Sequence, residues 1–170
     1  MVVQCDSRSM PAPVATLRTA DPGSALGACV LRAYINDVAS RYWGRPATFA
    51  EVDRALREDP SGDLIPPTGL FVVATIEGAP AGCGGVRLIP DGIAELTRVW
   101  VAPAGRRRGL GALIVTHLER HAVDHGRTRM RLDTRGDLTE ARALYARLGY
   151  HEVEPFNDEP YAEHWFEKAL

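Results

Sequence analysis

Residues 99–112 read Val-Trp-Val-Ala-Pro-Ala-Gly-Arg-Arg-Arg-Gly-Leu-Gly-Ala. The apolar start predicts the end of a strand, and the arginines and glycines after Pro103 predict a tight basic loop. The amphipathic stretch that follows predicts a helix from Gly109 to His125, with Gly126 as its C-terminal cap. Because a helix start offers unpaired N–H groups and the positive end of the helix dipole, this segment is suited to bind a diphosphate.

Two common diphosphate motifs do not match this loop. A Walker loop ends in Gly-Lys-Ser or Gly-Lys-Thr, and neither triplet occurs in the chain. A dinucleotide-binding fingerprint needs a third glycine at the position of Ile114. The pattern that remains, Arg106-x-x-Gly109-x-Gly111, resembles the coenzyme A loop of the GNAT superfamily of N-acetyltransferases. The resemblance implies acetyl-CoA as the cofactor.

The resemblance also implies which residues contact acetyl-CoA. The end of the strand would pair through its backbone with the amide-bearing pantetheine arm, as an added strand does. A backbone N–H of residues 99–101 would polarise the thioester carbonyl, and the loop and first helical turn would surround the diphosphate. The residues expected to bind the cofactor are Val99, Trp100, Val101, Arg106, Arg107, Arg108, Gly109, Leu110, Gly111 and Ala112.

A second match lies in residues 141–150, which read Ala-Arg-Ala-Leu-Tyr-Ala-Arg-Leu-Gly-Tyr. This string resembles the GNAT segment Ala-x-x-Leu-Tyr-x-x-x-Gly-Phe, with Tyr150 in place of the phenylalanine. The resemblance implies that Tyr145 protonates the departing thiolate of coenzyme A; the alternative is a core tyrosine with a satisfied hydroxyl. Many relatives have asparagine at the position of Leu138, so one hydrogen bond to the cofactor is missing here or comes from Asp137 or Thr139.

The expected general base is Glu95, in the middle of an otherwise apolar strand predicted over Ile93–Val101. Strict alternation places Glu95 and Val99 on one face of this strand and Arg98 and Trp100 on the other. An alkylammonium, with a pKa of about 10.4, must lose a proton before it attacks a thioester. In GNAT proteins a bulge often splays this strand, and a glutamate that matches Glu95 commonly acts as base, directly or through water. The alternative is a solvated strand glutamate.

The acceptor-binding residues are expected in the first helices, the central strands and the C-terminal segment. They are Tyr42, Arg45, Arg98 and Tyr161. Aromatic walls and guanidinium groups suit a small amine that also bears a carboxylate. The alternative is that most of the aromatic residues belong to the core.

The order of elements predicts an α/β fold with a GNAT-like mixed central β-sheet flanked by helices. A leading strand over 14–19 and helices that begin at Asp21 and Thr48 come first. An antiparallel meander over 70–101 follows, and then β-α-β-α-β, with a parallel pair across the crossover helix. Residues 137–140 predict a capping box for the last helix. We expect a flexible leader over 1–13 and a single acetyltransferase domain over 14–170.

Composition excludes several other classes of protein. The 170 residues suit one domain, and the net charge of −2 disfavours nucleic acid as a partner. Three separated cysteines show no metal-ligand spacing and no disulfide framework, which favours free thiols in the cytoplasm. No apolar run approaches the roughly 18 residues of a membrane span. Because GNAT domains are frequently dimers, the resemblance is compatible with a homodimer.

The sequence therefore predicts an acetyl-CoA-dependent N-acetyltransferase that needs no metal. The acceptor would be the primary amine of a small molecule, attacking directly in a ternary complex with Glu95 as base and Tyr145 as acid. Two alternatives stay open at this point. One is a protein acetyltransferase that acts on a lysine or an N-terminus. The other is a non-catalytic regulator that binds acyl-CoA.

Overall fold

The computed structural model describes residues 15–170, so the predicted leader lies outside the described residues. Seven strands form one sheet in the order β1-β2-β3-β4-β5-β7-β6. The strands are β1 (Ala15–Thr19), β2 (Gly69–Ile76), β3 (Ala79–Ile89), β4 (Ile93–Val101), β5 (Arg129–Thr134), β6 (His151–Val153) and β7 (His164–Ala169). The helices are α1 (Ala25–Trp43), α2 (Phe49–Glu58), α3 (Leu110–Asp124) and α4 (Thr139–Arg147).

The predicted fold class is confirmed. Strands β1 to β4 pair antiparallel in sequence order, and β5 pairs parallel with β4 after the crossover helix α3. Strand β7 inserts between β5 and β6 and is antiparallel to both. The sequence predicted two closing strands but not this order.

The helix starts follow the predicted caps at one of three positions. Thr48 caps α2 in a full capping box with Glu51, as the sequence predicts. Helix α1 begins after Ser24 rather than at Asp21, because the Asp21 carboxylate accepts from the Gly23 N–H at 2.7 Å and closes a preceding turn. The predicted capping box of α4 is wrong, since Leu138 occupies the cap position and no side chain caps the helix.

Two apolar cores sandwich the sheet. On one face α3 and α4 pack on the central strands, with Ile114, Leu118 and Tyr145 among the buried residues. On the other face α1 and α2 cover a second core that includes Phe71 and Cys83. Both faces of β2 are therefore buried, which explains why its sequence is continuously apolar rather than alternating.

Strand β4 carries a β-bulge close to its middle. Cys83 of β3 pairs with Trp100, but Gly85 pairs with Thr97, so two residues of β4 face one residue of β3. Arg98 lies in this bulge with a φ of 56°, which side chains other than glycine rarely adopt. The bulge that the family resemblance implies is present.

The bulge makes the predicted alternation wrong beyond residue 97. Both sequence neighbours of Glu95 belong to the core under α3, so Glu95 points to the α1 side of the sheet. The extra residue then brings Arg98 and Trp100 to that same side and turns Val99 to the α3 side. Three polar or amphipathic side chains of β4 therefore share one face.

Strands β4 and β5 separate after Glu95. Their parallel ladder joins only Ile93, Ala94 and Glu95 to residues 129–131. Residues 96–101 of β4 pair with β3 alone, so their outer backbone groups face an opening in the sheet.

Candidate active site

A cavity of about 1680 Å³ lies at this opening. Its walls are α1, α2, the bulged part of β4, the start of α3, the end of β5, α4 and the loop before β7. Of the sequence-predicted site residues, all but Arg45 line this cavity. We distinguish two regions of the cavity by their residues. The cofactor end lies at residues 99–112, and the acceptor end lies near Glu95 and the end of β5.

The start of α3 forms the cofactor end and is free of side-chain caps. Gly109 occupies the cap position with a φ of 75°, and the first turn contains no acidic residue. The first bond within the helix is from the Leu113 N–H to the Gly109 carbonyl at 3.0 Å, so the N–H groups of residues 110–112 have no helical acceptor. This end can hold an anion.

The two glycines of the loop serve different purposes. Gly109 adopts a left-handed backbone conformation that glycine reaches without strain, and no atom lies near the position that a Cβ would occupy. At Gly111 a Cβ would lie 2.8 Å from Leu144 Cδ2, so this glycine permits close packing of α3 on α4. Only Gly109 therefore fits the predicted role of leaving room for a diphosphate.

The three arginines of the loop are not equivalent. Arg106 donates from Nη2 to Asp37 Oδ2 at 2.8 Å and from Nε to the Val101 carbonyl at 3.2 Å. Trp100 Nε1 donates to the same Asp37 oxygen at 2.8 Å, so this carboxylate joins α1 to β4 and to the loop. Arg107 and Arg108 are exposed at the cavity edge. The latter two can reach a bound diphosphate without breaking a contact of the fold.

Glu95 lies half-buried at the acceptor end between two guanidinium groups. Its Oε2 accepts from Nε and Nη2 of Arg131, both at 3.2 Å, and its Oε1 is 3.5 Å from Arg87 Nη1. These contacts fix the carboxylate at the point where β4 and β5 separate. A carboxylate that is held in this way within a cavity is placed to accept a proton from a bound amine.

Tyr145 of α4 lines the same cavity and is 5% exposed. Burial raises its pKa, and the nearby Tyr34 hydroxyl and Asp133 carboxylate raise it further. Its ring packs edge-on against Tyr150 at 5.7 Å. The hydroxyl therefore stays protonated at neutral pH and can give a proton to a developing anion.

The predicted acceptor residues separate into two groups. Tyr42 and Tyr161 meet edge-to-face at 5.4 Å and join the end of α1 to the loop before β7 at the cavity rim. Arg98 is 8% exposed and donates from Nη1 to Asp59 Oδ2 at 2.7 Å and from Nε to Ser61 Oγ at 3.0 Å. Its charge is thus compensated within the fold, although it borders the cavity.

Arg45 is a correction to the sequence analysis. Its guanidinium pairs with Glu51 at 2.7 Å and lies over the Trp43 ring at 5.7 Å, and the residue does not line the cavity. Arg45 follows the end of α1 and pairs with Glu51, a member of the α2 capping box, so it does not reach the site.

Several acidic residues that line the cavity were not predicted from the sequence, among them Asp37, Asp133 and Glu159. Asp37 holds Arg106 and Trp100, and Asp133 and Glu159 line the acceptor end. Burial raises the pKa of Asp133, while a hydrogen bond from Asn157 opposes that rise. Burial also raises the pKa of Glu159, with Asp133 as the next cause. Only Asp133 gave a signal in the sequence, as a carboxylate at the end of a predicted strand.

Residues 15–170 lack a metal-binding cluster and a membrane-spanning helix. Within that range no three histidine, cysteine or acidic side chains cluster so that they could hold a metal ion. None of the helices there is long and apolar enough to cross a membrane.

Comparisons with known proteins add to this geometry. The model of the acetyltransferase (GNAT) family matches residues 32–150. An uncharacterized N-acetyltransferase of Schizosaccharomyces pombe is 33% identical over 120 residues, or 69% of this chain and 73% of that protein. A GNAT-family acetyltransferase of Staphylococcus aureus has a TM-score of 0.76 at 13% identity, over 92% of this chain and 99% of its own. PaiA N-acetyltransferase of Thermoplasma acidophilum, solved with coenzyme A, has a TM-score of 0.73 at 15% identity, over the same shares.

Proposed function

Since this chain belongs to the acetyltransferase (GNAT) family, we propose that it moves an acetyl group from acetyl-CoA to the primary amine of a small molecule. The amine attacks directly, in a ternary complex. One observation carries the proposal: a single cavity joins an uncapped helix start and an open strand edge to Glu95 and Tyr145.

The cofactor end has the donors that acetyl-CoA requires. The N–H groups of residues 110–112, with Arg107 and Arg108, face the position of a diphosphate. Over residues 96–101 the edge of β4 does not pair with β5, and its backbone groups, except for the Val101 carbonyl that accepts from Arg106, are offered to the amide-bearing arm. The structure of PaiA with coenzyme A supports the same choice of ligand by fold analogy.

The chemistry needs one proton acceptor and one proton donor. Acetyl-CoA supplies the acetyl thioester; a C–N bond forms to the acceptor nitrogen and the C–S bond breaks. Glu95 takes the proton that leaves the nitrogen, directly or through one water. Tyr145 gives its proton to the departing sulfur, and both side chains return to their starting states through solvent. Backbone N–H groups of residues 99–101 stabilise the negative charge that develops on the carbonyl oxygen.

The contact between Tyr42 and Tyr161 favours a small acceptor. The two rings meet at 5.4 Å and narrow the acceptor end between α1 and the loop before β7. A protein acetyltransferase needs an open groove for an extended peptide at that place. The alternative of a non-catalytic acyl-CoA-binding regulator needs neither Glu95 nor Tyr145, yet both line the cavity.

The test is thermal melting of the chain with acetyl-CoA, with ATP and NAD as controls. A ligand at one hundred times its Kd adds about 2.7 kcal/mol, which corresponds to a rise of about 5–10 °C for a chain of this size. A rise with acetyl-CoA alone, followed by thiol release with small amines, supports the proposal.

Each other outcome favours a different function. Without a rise in the melting temperature, the assignment of the loop fails and the proposal with it. A rise without thiol release over a broad amine panel favours the acyl-CoA-binding regulator. Acetylated lysines or N-termini in peptide substrates, detected by mass spectrometry, favour the protein acetyltransferase.

A further inference from the structure

We propose that the acceptor amine carries a second nitrogen that is protonated at neutral pH, which Asp133 and Glu159 hold at the acceptor end of the cavity. The natural substrate class is then a diamine or a longer polyvalent amine. This inference rests on the proposed function, since it names the acceptor of the same reaction.

The arginines near the acceptor end are already paired with carboxylates. Arg98 is bound to Asp59 at 2.7 Å, and Arg87 is bound to Asp63 at 2.5 Å. Arg131, beside them, is bound to Glu95 at 3.2 Å. A substrate carboxylate at any of these guanidinium groups would compete with a carboxylate of the protein for the same positive charge.

Two carboxylates at this end have no such cationic partner. Asp133 Oδ2 accepts a hydrogen bond from the neutral Asn157 amide at 2.8 Å, and Asn157 Oδ1 is in turn fixed by Trp165 Nε1 at 2.7 Å. Glu159 lines the cavity from the loop before β7 and forms no ion pair within residues 15–170. At this end negative charge exceeds positive charge.

Four more arginines outside the cofactor loop line the cavity: Arg41, Arg54, Arg135 and Arg147. Arg41 is paired with Glu140 and Arg135 with Asp137, while Arg147 is exposed on α4. Arg54 is exposed on α2, one helical turn from Glu58, which also lines the cavity. These two opposite charges are neighbours on one face of the helix. They leave the excess of negative charge near Asp133 unchanged.

A buried polar side chain on another element, Tyr145 of α4, lines the same cavity. Tyr145 is 5% exposed and lies near charged groups. Within the described residues, its hydroxyl forms no hydrogen bond. Because buried polar groups are normally hydrogen-bonded, such a hydroxyl in a cavity is expected to form a hydrogen bond with a ligand. At the rim, the Arg135 guanidinium already lies 5.3 Å from the centre of the Tyr42 ring, and Tyr161 packs edge-to-face against Tyr42. The ring of Tyr161 adds an aromatic face that favours a cation over a carboxylate.

A bound cation would lower the mutual repulsion among the carboxylates at the acceptor end. Burial raises the pKa of Asp133 and that of Glu159, and the carboxylates of Glu95 and Asp59 raise both further, while the Arg87 guanidinium opposes the rise. A distal ammonium lowers this repulsion, while the reacting nitrogen reaches Glu95 and loses its proton. A substituent carboxylate would raise the repulsion, so the sequence-based expectation of a carboxylate-bearing amine is reversed.

Three amines of matched length test the proposal: 1,4-diaminobutane, 1-aminobutane and 4-aminobutanoate. They are compared by kcat/KM for thiol release at equal concentrations of the neutral reacting amine and at saturating acetyl-CoA. We expect the diamine to exceed 1-aminobutane by about tenfold to a hundredfold, as for one desolvated charged contact. We expect 4-aminobutanoate to be the poorest. The propyl and pentyl homologues of all three cover other spacings of the two groups.

Variants tie the preference to the two carboxylates. Asp133→Asn and Glu159→Gln are expected to lower the ratio of diamine to monoamine kcat/KM, and the double variant to bring it close to one. Asp158→Asn is the matched control, because it removes the same charge from an exposed neighbour that does not line the cavity. The rise in melting temperature with acetyl-CoA checks that each variant is folded.

The outcomes separate this inference from the proposed function. Equal kcat/KM for 1-aminobutane and the diamine, or a preference for 4-aminobutanoate, overturns the second ammonium site while acetyl transfer stands. An unchanged ratio in the double variant also overturns it. Loss of the acetyl-CoA melting shift in the unmodified chain overturns the proposed function itself. Acetyl-CoA binding without acetylation of any of these amines overturns the inference and leaves the cofactor assignment.

Discussion

The two ends of the cavity are built in opposite ways. The cofactor end is one contiguous segment, residues 99–112, in which a strand end, a loop and a helix start follow each other. The acceptor end takes its side chains from α1, α2, β4, β5 and the loop before β7. Binding groups supplied by backbone geometry are local and leave a motif, whereas groups that meet only after folding leave none.

The two ends also differ in charge. Arg107 and Arg108 make the cofactor end basic, and Asp133 and Glu159 make the acceptor end acidic. Under the proposals above, a polyanionic cofactor and a cationic amine would be drawn to opposite ends of one cavity. The reacting atoms would meet between them, where Glu95 and Tyr145 lie. The predictions below test whether this division holds, beginning with the largest expected effect.

Glu95→Gln tests whether chemistry belongs to the acceptor end alone. Loss of the proton acceptor should lower kcat by about a hundredfold to ten-thousandfold. The rise in melting temperature with acetyl-CoA should stay unchanged, because the residue lies away from the diphosphate loop. Glu154→Gln, at an exposed position outside the cavity lining, is the matched control. Full activity of Glu95→Gln would end its assignment as base and move attention to Asp133.

Tyr145→Phe tests the proton donor at the junction of the two ends. A thiolate with a pKa of about 8.5 leaves without much help, so we expect a smaller loss of kcat, about tenfold to a hundredfold. Burial raises the pKa of this hydroxyl, so Tyr145 should stay protonated at moderately alkaline pH. The wild-type rate should therefore not fall in that range through deprotonation of Tyr145. The ring packing is kept, and the melting temperature should be close to wild type. An unchanged kcat would make Tyr145 a core residue, the alternative that the sequence left open.

The sequence predicted the cofactor end of the cavity better than the acceptor end. The resemblance of residues 99–112 and 141–150 to the GNAT motifs predicted the family and the cofactor loop, and the family model confirms the family. The mixed sheet was predictable because each strand and helix has its own periodicity and turn signals. The leader over 1–13 stays a prediction.

The β4 bulge limited what could be predicted of the site. One extra residue at Arg98 reverses the face of the sheet on which every later side chain of β4 lies. A prediction based on strict alternation of side chains cannot include such an extra residue. Arg98 and Arg45 were expected at the acceptor because arginine suits a carboxylate, but Asp59 and Glu51 lie against them only in the fold. Charge balance depends on partners distant in sequence, so the polarity of the acceptor end could not be predicted.

The three loop arginines sharpen the comparison within the cofactor end. Arg107→Ala and Arg108→Ala should each raise the Kd for acetyl-CoA about threefold, with a smaller effect at high salt, because both are exposed charges. Arg106→Ala should instead lower the free energy of unfolding by about 1 kcal/mol, since it breaks the contacts to Asp37 and the Val101 carbonyl. Isothermal titration and urea unfolding measure the two effects. Equal changes in Kd and equal stability for all three would contradict the division.

The smallest effects are expected at Arg45 and Glu51, outside the cavity. The Arg45 guanidinium, and then the Thr48 N–H, lower the pKa of Glu51 from near 4.5 to about 2. Because this pKa is lower in the folded state, the pair stabilises the chain above about pH 4.5 and loses that contribution as the pH falls toward 2. The difference in unfolding free energy between wild type and Glu51→Gln should therefore be largest near neutral pH and shrink on acidification. Arg45→Ala should leave the KM for the amine unchanged, and a raised KM would return Arg45 to the acceptor end.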